Sequence, residues 1–260
     1  MSRHMPRPRH LVVHKHHPHP RSRSNIFPLI LLAGVAAGCI APASPGAGTG
    51  AVSTPTTAKS CGPDGLIDDG EDGNNLVSDV GGRGGYWYTF LDKVGSSISP
   101  KTEAQGGKFA MAQGGANKSQ SAVNVKGKVA AGEIVYAGVG VNFLDPKAPY
   151  NASKYEGISF WAKRGPSSTG KVRLKVPDSN TDPDGKVCSA CFNDFGKDLS
   201  LTEEWTKYTI AFADMRQLGG WGAPRPSRIE PQKLYGAQWQ VNQPGATYDI
   251  WIDDVEFICK

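Results

Sequence analysis

Four runs of this chain alternate strictly between two kinds of side chain, and a period of two is the signature of a strand with two unlike faces. Val139, Val141 and Phe143 alternate with Gly138, Gly140 and Asn142, and Ile158, Phe160 and Ala162 with Ser159, Trp161 and Lys163. Val172, Leu174 and Val176 alternate with Lys171, Arg173 and Lys175, and Ala237, Trp239 and Val241 with Gln238 and Gln240. Helical periodicity is nearly absent. Further runs rich in β-branched and aromatic residues, bounded by Gly, Pro, Asn and Asp, bring the expected strands to nine: near 87–91, 108–113, 122–128, 136–143, 157–163, 171–176, 206–212, 237–242 and 248–258. That count, with long decorated loops, predicts an all-β, two-sheet β-sandwich of the jelly-roll kind.

The chain's charge and cysteine content mean something only when split by position. All six His lie in the first 38 residues, together with Arg3, Arg7, Arg9, Lys15, Arg21 and Arg23 and no Asp or Glu. Removing those six from the 29 Lys and Arg leaves 23 bases against 24 acids, a net charge of −1. The basic character belongs to a leader, which argues against a nucleic-acid partner. With no His after the leader, Ser-His-Asp and Cys-His catalysis and His-ligated metal centres are excluded. Residues 26–38 have the length of a signal-peptide core and follow a basic stretch. The sequence Ala36, Ala37, Gly38, Cys39 resembles a bacterial lipobox with Ala36 where Leu is usual, which predicts a signal peptide over 1–38 and acylation of Cys39. Residues 39–60, rich in Ala, Pro, Ser, Thr and Gly, read as a flexible linker from that anchor to a domain over 61–260. The expected location is the bacterial cell envelope, with the lipid anchor as the only membrane contact.

Cys61, Cys188, Cys191 and Cys259 are an even set in an exported chain, where disulfides are the expectation. Of the three possible pairings, Cys61 with Cys259 clamps the two ends of the domain and leaves Cys188 with Cys191 as a local pair. CxxC also occurs in redox enzymes and zinc ribbons, but no second CxxC and no βαβ pattern accompanies this one.

If the four alternating strands share a sheet, their polar sides combine Gly, Asn, Ser, Arg, Lys and Gln with one Trp. A saccharide offers hydroxyls that Gln, Asn and Arg can hydrogen-bond and apolar C–H faces that stack on an aromatic ring, and Gly lets a ligand approach the backbone. The candidate polysaccharide contacts are Asn142, Arg173, Lys175, Gln238 and Gln240, with Trp161 and Trp221 as stacking platforms; Arg173 and Lys175 also admit an acidic glycan. Trp205, Tyr208, Phe212, Trp239 and Trp251 are expected in the core.

Several blocks, in order, resemble a known group. These are Ile67 to Asn74 (IDDGEDGN), Gly82 to Tyr88 (GRGGYWY), Gly157 to Lys163 (GISFWAK), Glu204 to Ile210 (EWTKYTI) and Trp251 to Phe257 (WIDDVEF). Together they are similar to galactose-binding-like jelly-roll carbohydrate-binding modules, among them the β-glucan-binding modules of family 11. The resemblance spans nearly all of 61–260. It implies a sandwich whose concave sheet holds ligand, no catalysis by the module, and a structural Ca²⁺ between opening and closing segments. The ligand set it implies is Glu71 and Asp72 with Asp253 and Asp254, which would meet if the Cys61 to Cys259 clamp joins the terminal strands. The Cys pairs and the long loop from Pro177 to Asp198 depart from the glucan-binding members.

Two other chemistries find less support. Asp178, Asn180, Asp182, Asp184 and Gly185 imitate an EF-hand loop, but the position that must supply the bidentate carboxylate is Cys191, so a turn-rich loop is expected. A glycoside hydrolase needs two carboxylates about 5 to 10 Å apart; Glu133, Glu156 and Glu256 all lie off the polar side of the four strands. A structural or adhesive envelope protein binding a protein partner, and a small glycan hydrolase or lyase, are the alternative readings.

Overall fold

The computed structural model describes residues 59–260, so the leader, Cys39 and all but the end of the linker lie outside the described residues. The linker's last two residues form β1 (Lys59–Ser60), paired with the final strand.

Thirteen strands make two antiparallel sheets, joined among the described residues by loops and single 3₁₀ turns rather than α-helices. One sheet orders β11 (Thr206–Ala211), β8 (Tyr155–Arg164), β13 (Thr247–Cys259), β6 (Ser121–Lys128) and β4 (Ser97–Ser99). In it β1 and β2 (Leu66–Asp68) also pair with β13, and β5 (Ala112–Gln113) with β6. The other sheet runs β10 (Phe195–Ser200), β9 (Lys171–Val176), β12 (Gly236–Val241), β7 (Ala137–Asn142) and β3 (Trp87–Leu91).

The apolar sides of both sheets meet in one core, as the alternation requires. Trp239 sits at its centre, stacked at 5.7 Å on Trp87 and edge-on at 5.1 Å to Phe160 of the opposite sheet. In β13 the inward positions are Tyr248, Ile250 and Ile252, then Val255 and Phe257. The parity changes because a bulge between Asp253 and Glu256 inserts an extra residue, with Asp254 at φ +48°.

Both expected disulfides are formed, Cys61–Cys259 and Cys188–Cys191. The expected strand over 108–113 shrinks to two residues, and β10 begins inside the segment read as loop to Asp198 and runs past it to Ser200. With only Phe195 and Leu199 apolar and an edge position, β10 carries little periodic signal.

The strand pairing overturns one premise. Of the four alternating strands, β7, β9 and β12 share the five-stranded sheet, but β8 belongs to the other. Trp161, opposite Lys207 and Asp253 on the outer side of the eight-stranded sheet, therefore lies across the sandwich from Asn142, Arg173, Lys175, Gln238 and Gln240. Parity identifies a face within a strand; it cannot say which sheet the strand joins. Trp205 and Trp251 are likewise outside the core, half-buried around the Lys163 ammonium at 4.9 and 5.2 Å, whereas Trp239 and Phe212 are buried as expected.

Candidate functional site

The outer side of the five-stranded sheet is built in register. One row crosses all five strands as Tyr88, Gly140, Gln238, Lys175 and Gly196. The next is Phe90, Gly138, Gln240, Arg173 and Asp198. Each row thus runs from an aromatic on β3, over a glycine on β7 and a glutamine on β12, to a cation on β9.

The glycines explain the posture of the aromatics. A Cβ at Gly140 would lie 2.6 Å from the ring end of Tyr88, and one at Gly138 would lie 2.8 Å from that of Phe90. Contacts that short are steric overlaps, so only glycine lets these rings lean across β7. Tyr86, Tyr88, Phe90 and Tyr136 form a file with successive ring centroids 6.3, 6.2 and 6.3 Å apart. These residues are half-exposed. Gln238 Nε2 donates to the Tyr88 hydroxyl at 2.9 Å. Burial, with the negative charges of Asp194 and Asp182 adding to it against the Gln238 hydrogen bond, pushes the Tyr88 phenol above its ordinary pKa, so it stays protonated.

The two cations in these rows are neutralised. Arg173 Nη1 donates to Asp198 Oδ1 at 2.9 Å, and Lys175 Nζ lies 2.9 Å from Asp194 Oδ2 and 3.3 Å from Gln240 Oε1. Lys175 and Asp194 are both buried, at 7% and 2% exposure. Asn142 is also buried, one position beyond Val141 toward the Tyr86 end, where its N–H donates to the Tyr86 carbonyl. Five of the sequence's candidates therefore do share this sheet, although Asn142, Arg173 and Lys175 are more enclosed than a solvated outer face would leave them.

Trp221 stands at the rim. Arg216 pairs with Gly196 on the free edge of β10, and the chain then forms the loop 218–226. Asn193, nearly fully buried, holds that loop: its Nδ2 donates to the carbonyls of Leu218 and Trp221 at 3.0 and 2.6 Å, and its Oδ1 accepts the Leu218 N–H at 2.9 Å. Ala190 bridges to Ala223, which ties in the turn closed by Cys188–Cys191. Trp221 remains 45% exposed. The carboxylates of the EF-hand-like string brace loops. Asp178 accepts from the Asn180 N–H and the Thr181 hydroxyl, and Asp182 binds Lys147 at 2.7 Å.

The file Tyr86, Tyr88, Phe90 is what the sequence reading missed. The signal was present as aromatics at three alternate positions, opposite in parity to the core residue Trp87. It was masked because Trp87 makes the run look uniformly apolar.

The expected calcium ligands are only partly brought together. β2 pairs with β13, so opening and closing segments do meet. Glu71 accepts from Ser119 Oγ at 2.7 Å and from the Gln120 and Ser121 N–H groups at 2.9 and 3.0 Å, and Asp253 Oδ2 accepts the Ala116 N–H at 2.6 Å. Asp72, in contrast, turns to the backbone and side chain of Asn74. Among the described residues no three His, Cys, Asp or Glu side chains converge to hold a metal ion, so the four-carboxylate set is not assembled. What remains is uncompensated negative charge. Burial, then Asp254, pushes the Asp253 carboxyl up to about 6, and burial, then Asp69, raises Asp254.

The hydrolase candidates are scattered. Glu133 and Glu156 are exposed in or beside loops, and Glu256 bonds Ser159 and Lys207 on the other sheet.

No family model matches the chain, and no curated protein matches it. Solved structures do. A family 11 carbohydrate-binding module of the cellulosomal cellulase Lic26A-Cel5E of Clostridium thermocellum superposes with a TM-score of 0.51 at 15% identity, over 75% of this chain and 94% of that one. The solution structure of CtCBM11 gives 0.52 at 15% identity, over 77% and 98%. The fold is thus the β-sandwich of carbohydrate-binding modules, as the sequence blocks implied.

Proposed function

We propose that this protein binds a polysaccharide on the outer side of its five-stranded sheet and does not cleave it. The observation that carries the reading is the aromatic file leaning over Gly138 and Gly140, beside two rows of amide and paired ionic groups. Rings offer stacking surface, and the polar rows offer hydroxyl partners without net charge. Arg173 and Lys175, the cations within the two rows, are each tied to a carboxylate, which favours a neutral chain such as a β-glucan over the acidic glycan that they admit by sequence. The test is affinity electrophoresis of the disulfide-intact protein through mixed-linkage β-glucan, β-1,4-galactan and polygalacturonate. Retardation by a neutral polymer, weakened by Tyr88→Ala and accompanied by no new reducing ends, supports binding without cleavage; a folded protein retarded by none of them refutes it.

The disulfides agree with an oxidising, extracellular compartment. We further propose an acyl anchor at Cys39 that holds the protein in the bacterial envelope; radiolabelled palmitate incorporated by the native protein and lost in Cys39→Ser would support it. We also propose a structural Ca²⁺ near Glu71, Asp253 and Asp254, where a hard cation would relieve the crowded carboxylates. Binding requires Asp254, on the bulge, and Glu71 to turn toward Asp253.

A further inference from the structure

Beside the polar rows, one buried carboxylate has an oxygen that the fold leaves without a partner. Asp194 is 2% exposed, its Oδ2 is engaged by Lys175 Nζ at 2.9 Å, and its Oδ1 is buried with no hydrogen-bond donor. An ionised carboxylate oxygen is a pure acceptor, and burying one unsatisfied is costly, so such an atom calls for an explanation.

Its position supplies one. Lys175 lies in the row of Gln238, Gly140 and Tyr88, with its side chain on the outer side of the sheet. The Asp194 carboxylate meets Lys175 there, at 2.9 Å. The orphan oxygen therefore belongs to the aromatic-and-amide face and not to the core. Lys175 meanwhile spends a donor on a long bond to Gln240 Oε1 at 3.3 Å, a contact that a flexible, half-exposed amide can give up.

We propose that Asp194 and Lys175 form a hydroxyl-reading subsite that selects a neutral sugar. One sugar hydroxyl replaces Gln240 on Lys175 Nζ as acceptor and donates its proton to Asp194 Oδ1, which completes both partners of the buried pair. A carboxylate or sulfate ester at the same place has no proton to give and meets the Asp194 charge. Asp194 is then the specificity-determining residue of the face, because it cancels the Lys175 cation and demands a donor. The inference rests on the polysaccharide-binding reading of this sheet.

The experiment compares the native protein, Asp194→Asn and the double variant Lys175→Met/Asp194→Asn by affinity electrophoresis against mixed-linkage β-glucan, β-1,4-galactan and polygalacturonate, with folding checked by thermal melting. The native protein is expected to be retarded by a neutral polymer and not by polygalacturonate. Asp194→Asn should lose tenfold or more in affinity for the neutral polymer and gain retardation by polygalacturonate, since Lys175 is left unpaired; a merely structural role would produce the loss without the gain. The double variant, which leaves no buried charge unpaired, should lose neutral binding without the acidic gain, and it carries the test if Asp194→Asn does not fold. Neutral binding within twofold of native in either folded variant overturns the subsite while leaving the binding face standing. Failure of the native protein to bind any neutral polymer overturns both.

Discussion

Replacing Gly140 by Ala should disable the face while leaving the fold intact. The new Cβ would meet Tyr88 Cζ and Oη at 2.6 Å and Gln238 Cγ at 3.1 Å, all of them side-chain atoms. Gly140 does not sit at positive φ, so its backbone accepts Ala. The ring must therefore lift, and its 2.9 Å hydrogen bond from Gln238 must break. The stacking surface of the ring is worth about 0.5–1.5 kcal/mol, and one neutral hydrogen bond from its hydroxyl about 1 kcal/mol. Together about 2 kcal/mol of binding energy is lost, or about thirtyfold in Kd. Stability should fall by only about 1 kcal/mol, at the low end of the overpacking range, because no backbone atom is struck. Isothermal titration with the bound polymer, repeated in a Tyr88→Ala background, measures the effect: if Gly140 acts through the ring, the second substitution adds nothing. An equal loss in the Tyr88→Ala background, or unchanged affinity in Gly140→Ala alone, would refute the geometry.

Three further outcomes are expected. Trp161→Ala, on the outer side of the opposite sheet, should leave glycan affinity within about twofold of native by the same titration, and a tenfold loss would place ligand on the wrong face. Changing Cys61 and Cys259 to Ser removes a cross-link across 198 positions, which the loop-closure model values at about 5 kcal/mol; urea unfolding should show at least half of that. If Ca²⁺ binds near Glu71, Asp253 and Asp254, adding it to chelated protein at about 100 times its Kd should raise stability by about 2.7 kcal/mol, and identical melts with chelator and calcium would remove the site.

Much of the fold was legible because strands announce themselves by parity. Val139 to Phe143, Lys171 to Val176 and Ala237 to Val241 each bury the alternate positions that the pattern marked. The cysteines were legible for a different reason: two of the four sit at the ends of one domain and two are three residues apart. β10 was not legible, since an edge strand beside a long loop buries little and needs few apolar residues. Nor was the parity change in β13, because one inserted residue is invisible to a pattern until the partner strands show where register resumes.

The candidate site divides along the same line. Glycines, basic residues and glutamines at alternate positions identified the polar side of three strands, and local chemistry alone sufficed for that. Only the tertiary structure decided that β8 and its Trp161 go elsewhere, that Tyr88 and Phe90 lean over Gly140 and Gly138, and that Arg173 and Lys175 are neutralised by Asp198 and Asp194. The physical reason is one of range. Which way a side chain points depends on the residue two positions away, whereas the partner it meets depends on strand order, which is a property of the whole sheet.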